Sequence, residues 1–148
     1  MYTILKYVAS RVEGLVVDME RDNISVLVVD DEPVLRELVS FILNDKGFQV
    51  TTAESGDVAF KMVLDRHYDV IVSDVRMPNG SGIDLLNKLN TLPRRPAVFL
   101  VSGYSEISLE DARKLGAKDL LNKPVDYDSL CNAIYNSYIS SKKAPAAQ

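Results

Sequence analysis

From Ser25 onward, short apolar runs alternate with stretches whose apolar residues recur every three or four positions. Val26-Leu27-Val28-Val29 is a continuous, largely β-branched run ended by acids, which suits a strand buried on both faces. Pro33 follows where a first-turn proline is tolerated, because its missing N–H has no intrahelical partner. Leu35, Leu38, Val39 and Ile42 then fall on one helical face, and Gly47 can end that helix in a left-handed conformation. The cycle repeats four more times. Phe48, Val50 and Thr52 predict a second, weaker strand, and Ser55 caps a helix bearing Ala59, Met62 and Val63. Val70-Ile71-Val72 is a third buried strand, ending in Ser73-Asp74. A turn at Met77-Pro78-Asn79-Gly80 leads into a helix with Ile83, Leu86 and Leu89. Residues 97–101 form the fourth strand, followed by a helix with Leu109, Ala112 and Leu115. A short fifth strand near Asp119–Leu121 leads to Lys123-Pro124, and a last helix carries Leu130, Ala133, Ile134 and Tyr138. Five strand–helix units predict an α/β fold with a parallel sheet covered by helices on both faces.

A chain of 148 residues accommodates one such domain with a buried core and is too short for two ordinary ones. The divisions expected are an N-terminal extension over 1–23, the domain over 24–141 and a short tail over 142–148. In the extension, Ile4, Leu5, Val8, Val12, Leu15, Val16 and Met19 share a helical face, so an amphipathic helix for docking or dimerisation is one reading. A helix packed on its own domain, an inconsequential lead-in, or an added strand at Leu15-Val16-Val17 are the others. A net charge of −4 disfavours a broad nucleic-acid surface. No apolar run is long enough to span a bilayer, and no export signal opens the chain, so the cytoplasm is expected. One cysteine, Cys131, allows no internal disulfide; it lies in an apolar helical pattern and reads as a packing residue.

Function must come from a site, and in open parallel sheets sites gather at the carboxyl ends of the strands. There the first strand ends in Asp30-Asp31, the third in Asp74, the fourth in Ser102-Gly103 and the fifth in Lys123-Pro124. Three carboxylates held close raise each other's pKa unless compensated, and Mg²⁺, which takes hard oxygen ligands, compensates them. An ionised aspartate backed by a metal can attack a phosphoryl donor. Such transfer needs positioning and charge neutralisation more than covalent help, and Lys123 and Ser102 match those tasks. Each residue alone has a blander explanation: acids at strand ends cap helices, and Ser-Gly or Lys-Pro mark turns. Their joint placement favours chemistry.

The chain resembles the receiver domain of bacterial two-component response regulators. The matching pieces are Val-Leu-Val-Val-Asp-Asp-Glu-Pro at 26–33, Asp-Val-Arg-Met-Pro-Asn-Gly-Ser-Gly at 74–82, Val-Ser-Gly-Tyr at 101–104, Gly-Ala at 116–117 and Lys-Pro at 123–124. The resemblance implies a flavodoxin-like (βα)5 three-layer sandwich whose five parallel strands run in the order 2-1-3-4-5. It implies Asp74 as phosphoacceptor and Asp30 as partner of Asp31 in holding Mg²⁺, with Asp31, Asp74 and the backbone carbonyl of Arg76 as ligands. Ser102 matches the switch hydroxyl, Lys123 the lysine that pairs with the phosphoryl group, and Lys123-Pro124 a cis peptide. Leu120 departs from the pattern, since an aromatic ring usually sits there and swings with the hydroxyl. Arg76 and Tyr104 flank the expected pocket.

The function implied is a stand-alone receiver that takes its phosphoryl group from a histidine kinase or histidine phosphotransfer protein. It would signal through an unidentified downstream protein or by onward phosphotransfer, without nucleic-acid or membrane binding. A homodimer through the N-terminal segment or the C-terminal half of the domain is a further option. Such a protein is not a dedicated enzyme. A phosphorylation-independent interaction module is the alternative, with Leu120 as its footing. A phosphohydrolase is a third reading, opposed by Glu32 at the position where that class places its second acid. His67 reads as a surface turn residue, Tyr7, Tyr135 and Tyr138 as packing residues, and Arg94-Arg95 as a solvated loop.

Overall fold

The apolar runs become five parallel strands: β1 (Ser25–Val29), β2 (Gln49–Ala53), β3 (Val70–Asp74), β4 (Ala97–Ser102) and β5 (Asp119–Asn122). A computed structural model describes residue 21 and residues 23–103 and 106–143. The sheet order is β2-β1-β3-β4-β5, so β1, β3 and β4 are central. Their continuous apolar sequences follow from that position, because a central strand buries both faces. The edge strand β2 is correspondingly more exposed, down to Thr52.

Alternation along the strands divides the core in two. Leu27, Val29, Ile71, Val98 and Leu100 face one layer, packing with Ala59 of α2 (Gly56–Asp65), Leu85 and Leu86 of α3 (Gly82–Leu89) and Ala112 of α4 (Leu109–Lys114). Val26, Val28, Val72, Phe99 and Val101 face the other, against Leu43 of α1 (Pro33–Asp45) and Leu130, Cys131 and Ile134 of α5 (Tyr127–Lys143). The result is the flavodoxin-like three-layer sandwich that the periodicity and the resemblance foresee. Cys131 is buried among apolar neighbours, as a packing residue would be.

Pro33 opens α1 at its first turn, and Gly47 takes a φ of 101° behind its C-terminus. Ser55 caps α2 by accepting from the Val58 N–H at 3.2 Å. The turn ahead of α3 carries two left-handed residues, Asn79 (φ 58°) and Gly80 (φ 100°), and ends in a capping box between Ser81 and Asp84.

Three apolar positions depart from the sequence expectation. Leu38 is 45% exposed, and Leu43 takes the deepest position of α1. At 100° per residue, Leu35, Val39 and Leu43 line one face while Leu38 rotates toward solvent beside Val34 and Phe41. Leu109, at the first turn of α4, is 38% exposed. Helix α5 runs to Lys143, two residues past the point where the domain was expected to end. The amphipathic pattern of residues 4–19, Tyr7, Tyr104 and residues 144–148 lie outside the described residues. Within the extension, the Arg21 guanidinium lies over the rings of Phe48 and Tyr135 and donates to Asn132 Oδ1 at 3.0 Å. No helix among the described residues is long and apolar enough to cross a membrane.

Candidate functional site

Strand register brings the chemistry together. Val29 of β1 pairs with Ser73 of β3, so Asp30 and Asp74 leave the sheet at the same level. Asp74 pairs with Val101, which places Ser102 one step further along β4. Ser102 pairs with Asn122, and the Lys123 N–H continues the ladder to the Ser102 carbonyl at 2.9 Å. The crevice lies where the chain passes from β1 outward to β2 and then back to β3, the switch point of the sheet. A Cβ on Gly82 would lie 2.4 Å from the Asp74 carbonyl oxygen, so only glycine lets α3 start this close to the site.

Side-chain oxygens of Asp30, Asp31 and Asp74 all lie within 4.8 Å of one another. Asp30 is buried, and its Oδ1 accepts from the Glu32 N–H at 2.9 Å. Its backbone carbonyl accepts from Arg36 Nη1 at 2.7 Å, which ties the first turn of α1 to the acidic loop. Lys123 Nζ donates to Asp74 Oδ2 at 3.2 Å. Beside them opens a cavity of about 240 Å³ with apolar walls from Val28, Leu35, Val39, Val72 and Leu130.

Burial at that apolar wall pushes the Asp74 carboxyl above the ordinary carboxylate value; the hydrogen bond and charge of Lys123 pull it down, and Asp30 adds to the rise. For Lys123, burial pulls downward, but Asp74 first, then Asp30 and Glu32, outweigh it and leave the ammonium above its usual value. A protonated lysine therefore faces a carboxylate that is costly to ionise unless further positive charge arrives.

Ser102 is 1% exposed, and its hydroxyl donates to the carboxylate of Glu106. The other oxygen of Glu106 pairs with Arg76 Nε at 3.5 Å. The structure thus brings Asp30, Asp31, Asp74 and Lys123 into one cluster and sets Ser102 at its rim with its proton engaged elsewhere. The Arg76 side chain is largely exposed, reaching over to the β4–α4 loop. Glu106 and Arg36 escaped the sequence reading. Both come from irregular or helix-start positions where no periodicity marks them; an acid four residues after Ser102 was the available signal. Leu120 is half-buried against the α2–α4 side of the core, and Lys123-Pro124 is cis. His67 is exposed and pairs with Asp69 Oδ1 at 3.0 Å, at the opposite end of β3 from the acids.

The model of the response regulator receiver domain family matches residues 26–135. The chain belongs to that family. It is 34% identical over 133 residues to the transcriptional regulatory protein ZraR of Escherichia coli O157:H7, covering 86% of this chain and 30% of that one. It is 37% identical over 116 residues to the transcriptional regulatory protein FixJ of Azorhizobium caulinodans, covering 76% and 54%. The chain therefore spans about a third to a half of the length of these curated relatives. The receiver domain of the Francisella response regulator 1452 superposes with a TM-score of 0.76 at 29% identity, over 80% of this chain and 99% of that one. Receivers serve two-component signalling and are not dedicated enzymes, and a receiver in general answers to a histidine kinase. In this receiver the acidic pocket is Asp30, Asp31 and Asp74.

Proposed function

We propose that this receiver accepts a phosphoryl group on Asp74, with Mg²⁺ bound, from a histidine kinase or histidine phosphotransfer protein. The observation that carries the reading is the pairing of Asp74 with Lys123 at 3.2 Å inside a cluster of three carboxylates. A carboxylate oxygen of Asp74 forms the new O–P bond as the P–N bond of the donor phosphohistidine breaks and the imidazole departs with the electron pair. Lys123 neutralises charge on the transferring group, and the hydroxyl of Ser102, once released from Glu106, donates to one of its oxygens.

The donor set suits Mg²⁺: hard oxygens only, three carboxylates close together, and a local excess of negative charge. Asp30, Asp31 and Asp74, with the backbone carbonyl of Arg76, are the groups that would hold it. When bound, the cation supplies charge neutralisation for the acids and for the phosphoryl oxygens.

The domain assigned to this task is residues 24–141, with residues 1–23 as an extension available for docking or dimerisation. Output runs through contact with a downstream protein or through onward phosphotransfer, and the lone cysteine fits a cytoplasmic setting. The alternative is a receiver-like module that signals without phosphorylation. The capture of Ser102 by Glu106 and the absence of a ring at Leu120 favour it.

Intact-protein mass after incubation with a small phosphodonor, with and without Mg²⁺, on wild type and Asp74→Asn, decides between them. One added phosphoryl group that requires both Mg²⁺ and Asp74 supports acceptance. No addition under conditions that label another receiver, with Mg²⁺ still bound, favours the module.

A further inference from the structure

A serine hydroxyl has a single proton to donate, and here the Glu106 carboxylate holds that of Ser102. Ser102 is 1% exposed and the Glu106 side chain 17%, so water competes weakly for either group. Glu106 grips a second partner, Arg76, across the gap between the β3–α3 and β4–α4 loops. Arg76 lies two residues beyond Asp74. One carboxylate therefore engages two donors beside the acidic pocket, the Ser102 hydroxyl and the Arg76 guanidinium.

We propose that Glu106 is a latch on the resting receiver, holding the Ser102 hydroxyl and the Arg76 guanidinium until a phosphoryl group on Asp74 competes for both. The latch rests on the reading of Asp74 as phosphoacceptor. A phosphoryl group carries roughly −1.5 to −2 charges and three strong acceptor oxygens, which outmatch one carboxylate for a hydroxyl proton and a guanidinium. Because the hydroxyl has one proton, its two bonds are mutually exclusive. Once Ser102 and Arg76 turn to the phosphoryl group, Glu106 is left partly buried and facing a like charge. Both circumstances disfavour an anion, and the side chain reaches water only by moving outward.

Glu106 stands two residues before Ser108, the hydroxyl that caps α4 by accepting from the Asp111 N–H at 3.0 Å. Its displacement is therefore transmitted to the start of α4. That route needs no rotating ring, which matches a chain whose β5 carries Leu120, packed against the core, where a ring would turn. Glu106 is in these terms a positioning residue that sets the balance between two arrangements of the loop.

The test uses the full chain with Mg²⁺ and beryllofluoride, a phosphoryl mimic, on wild type, Glu106→Gln, Glu106→Ala and Asp74→Asn. Removing the latch charge should tighten beryllofluoride binding by about tenfold in both Glu106 variants, equivalent to about 1.4 kcal/mol. The amide resonances of residues 101–108 in the unliganded variants should lie part-way between those of free and beryllofluoride-bound wild type. Wild-type binding with unchanged or weakened affinity in the Glu106 variants overturns the latch and leaves the Asp74 reading intact; weakening is what a purely structural role predicts. No binding by wild type overturns both. Asp74→Asn is expected not to bind, and binding by that variant would place the mimic elsewhere.

Discussion

Replacing Asp74 by asparagine should stabilise this receiver in the absence of divalent metal, although it removes the partner of Lys123. The balance can be worked from the distances. At an effective dielectric of about 20, charges 3.2 Å apart attract by about 5 kcal/mol, which is the gross contribution of Lys123. Asp30, with an oxygen within 4.8 Å, repels by at least about 3.5 kcal/mol on the same scale, and Asp31, being more exposed, adds less. The charges nearly cancel. Burial then decides the sign, because the Asp74 side chain is 13% exposed beside an apolar cavity. The ionised form is a net cost, which is also why the carboxyl sits above its ordinary value of 3.8. With the folded-state pKa raised, the folded protein holds more protons than the unfolded chain between 3.8 and that raised value. Stability contributed by the protonated form is therefore lost as pH rises through that window. At pH 7 Asp74→Asn should gain about 1 kcal/mol, or about 3 °C in Tm for a chain of this size. Thermal unfolding in a chelator at pH 7 and again below pH 3.8 measures it, and the difference between the two proteins should shrink at the lower pH. A variant that loses 1 kcal/mol or more at pH 7 would show that the lysine pair outweighs burial and would refute this account of the site.

Three further outcomes follow from particular contacts. Mg²⁺ at one hundred times its dissociation constant should raise wild-type stability by about 2.7 kcal/mol, and Asp30→Asn or Asp31→Asn should require a higher Mg²⁺ concentration for the same gain in a thermal titration. Gly82→Ala forces a methyl group to 2.4 Å from the Asp74 carbonyl oxygen, so a loss of about 2–3 kcal/mol in denaturant unfolding is expected, with weakened Mg²⁺ binding because Asp74 must shift. On α1, Leu43→Ala should cost about 2–4 kcal/mol, and Leu38→Lys less than about 0.5 kcal/mol, in the same assay.

The main architecture was open to inspection in the amino-acid order. Runs such as 26–29 and 70–72 are apolar without alternation, which only a strand covered on both sides tolerates. The intervening helices announce themselves by period, by the first-turn Pro33, by the Ser55 cap and by Gly47 behind a helix C-terminus. The acids, the serine and the lysine could be assigned to one edge of the sheet because parallel strands all deliver their carboxyl ends to the same side. Strand order was a different matter; it came with the family resemblance, since local periodicity carries no information about which strands are neighbours.

What the sequence by itself determined, then, was the set of elements and the edge at which Asp30, Asp31, Asp74, Ser102 and Lys123 emerge. These depend on short-range rules of period, capping and strand direction. Tertiary structure alone decided that Lys123 reaches Asp74, that Leu38 turns outward while Leu43 goes in, and that Glu106 accepts from Ser102 while pairing with Arg76. Each of those outcomes is a competition for a few ångströms of space or a single proton, in which groups from other elements of the fold take part. Such competition is settled by the packing of loops and helix rotations, for which no local pattern in the chain is a proxy.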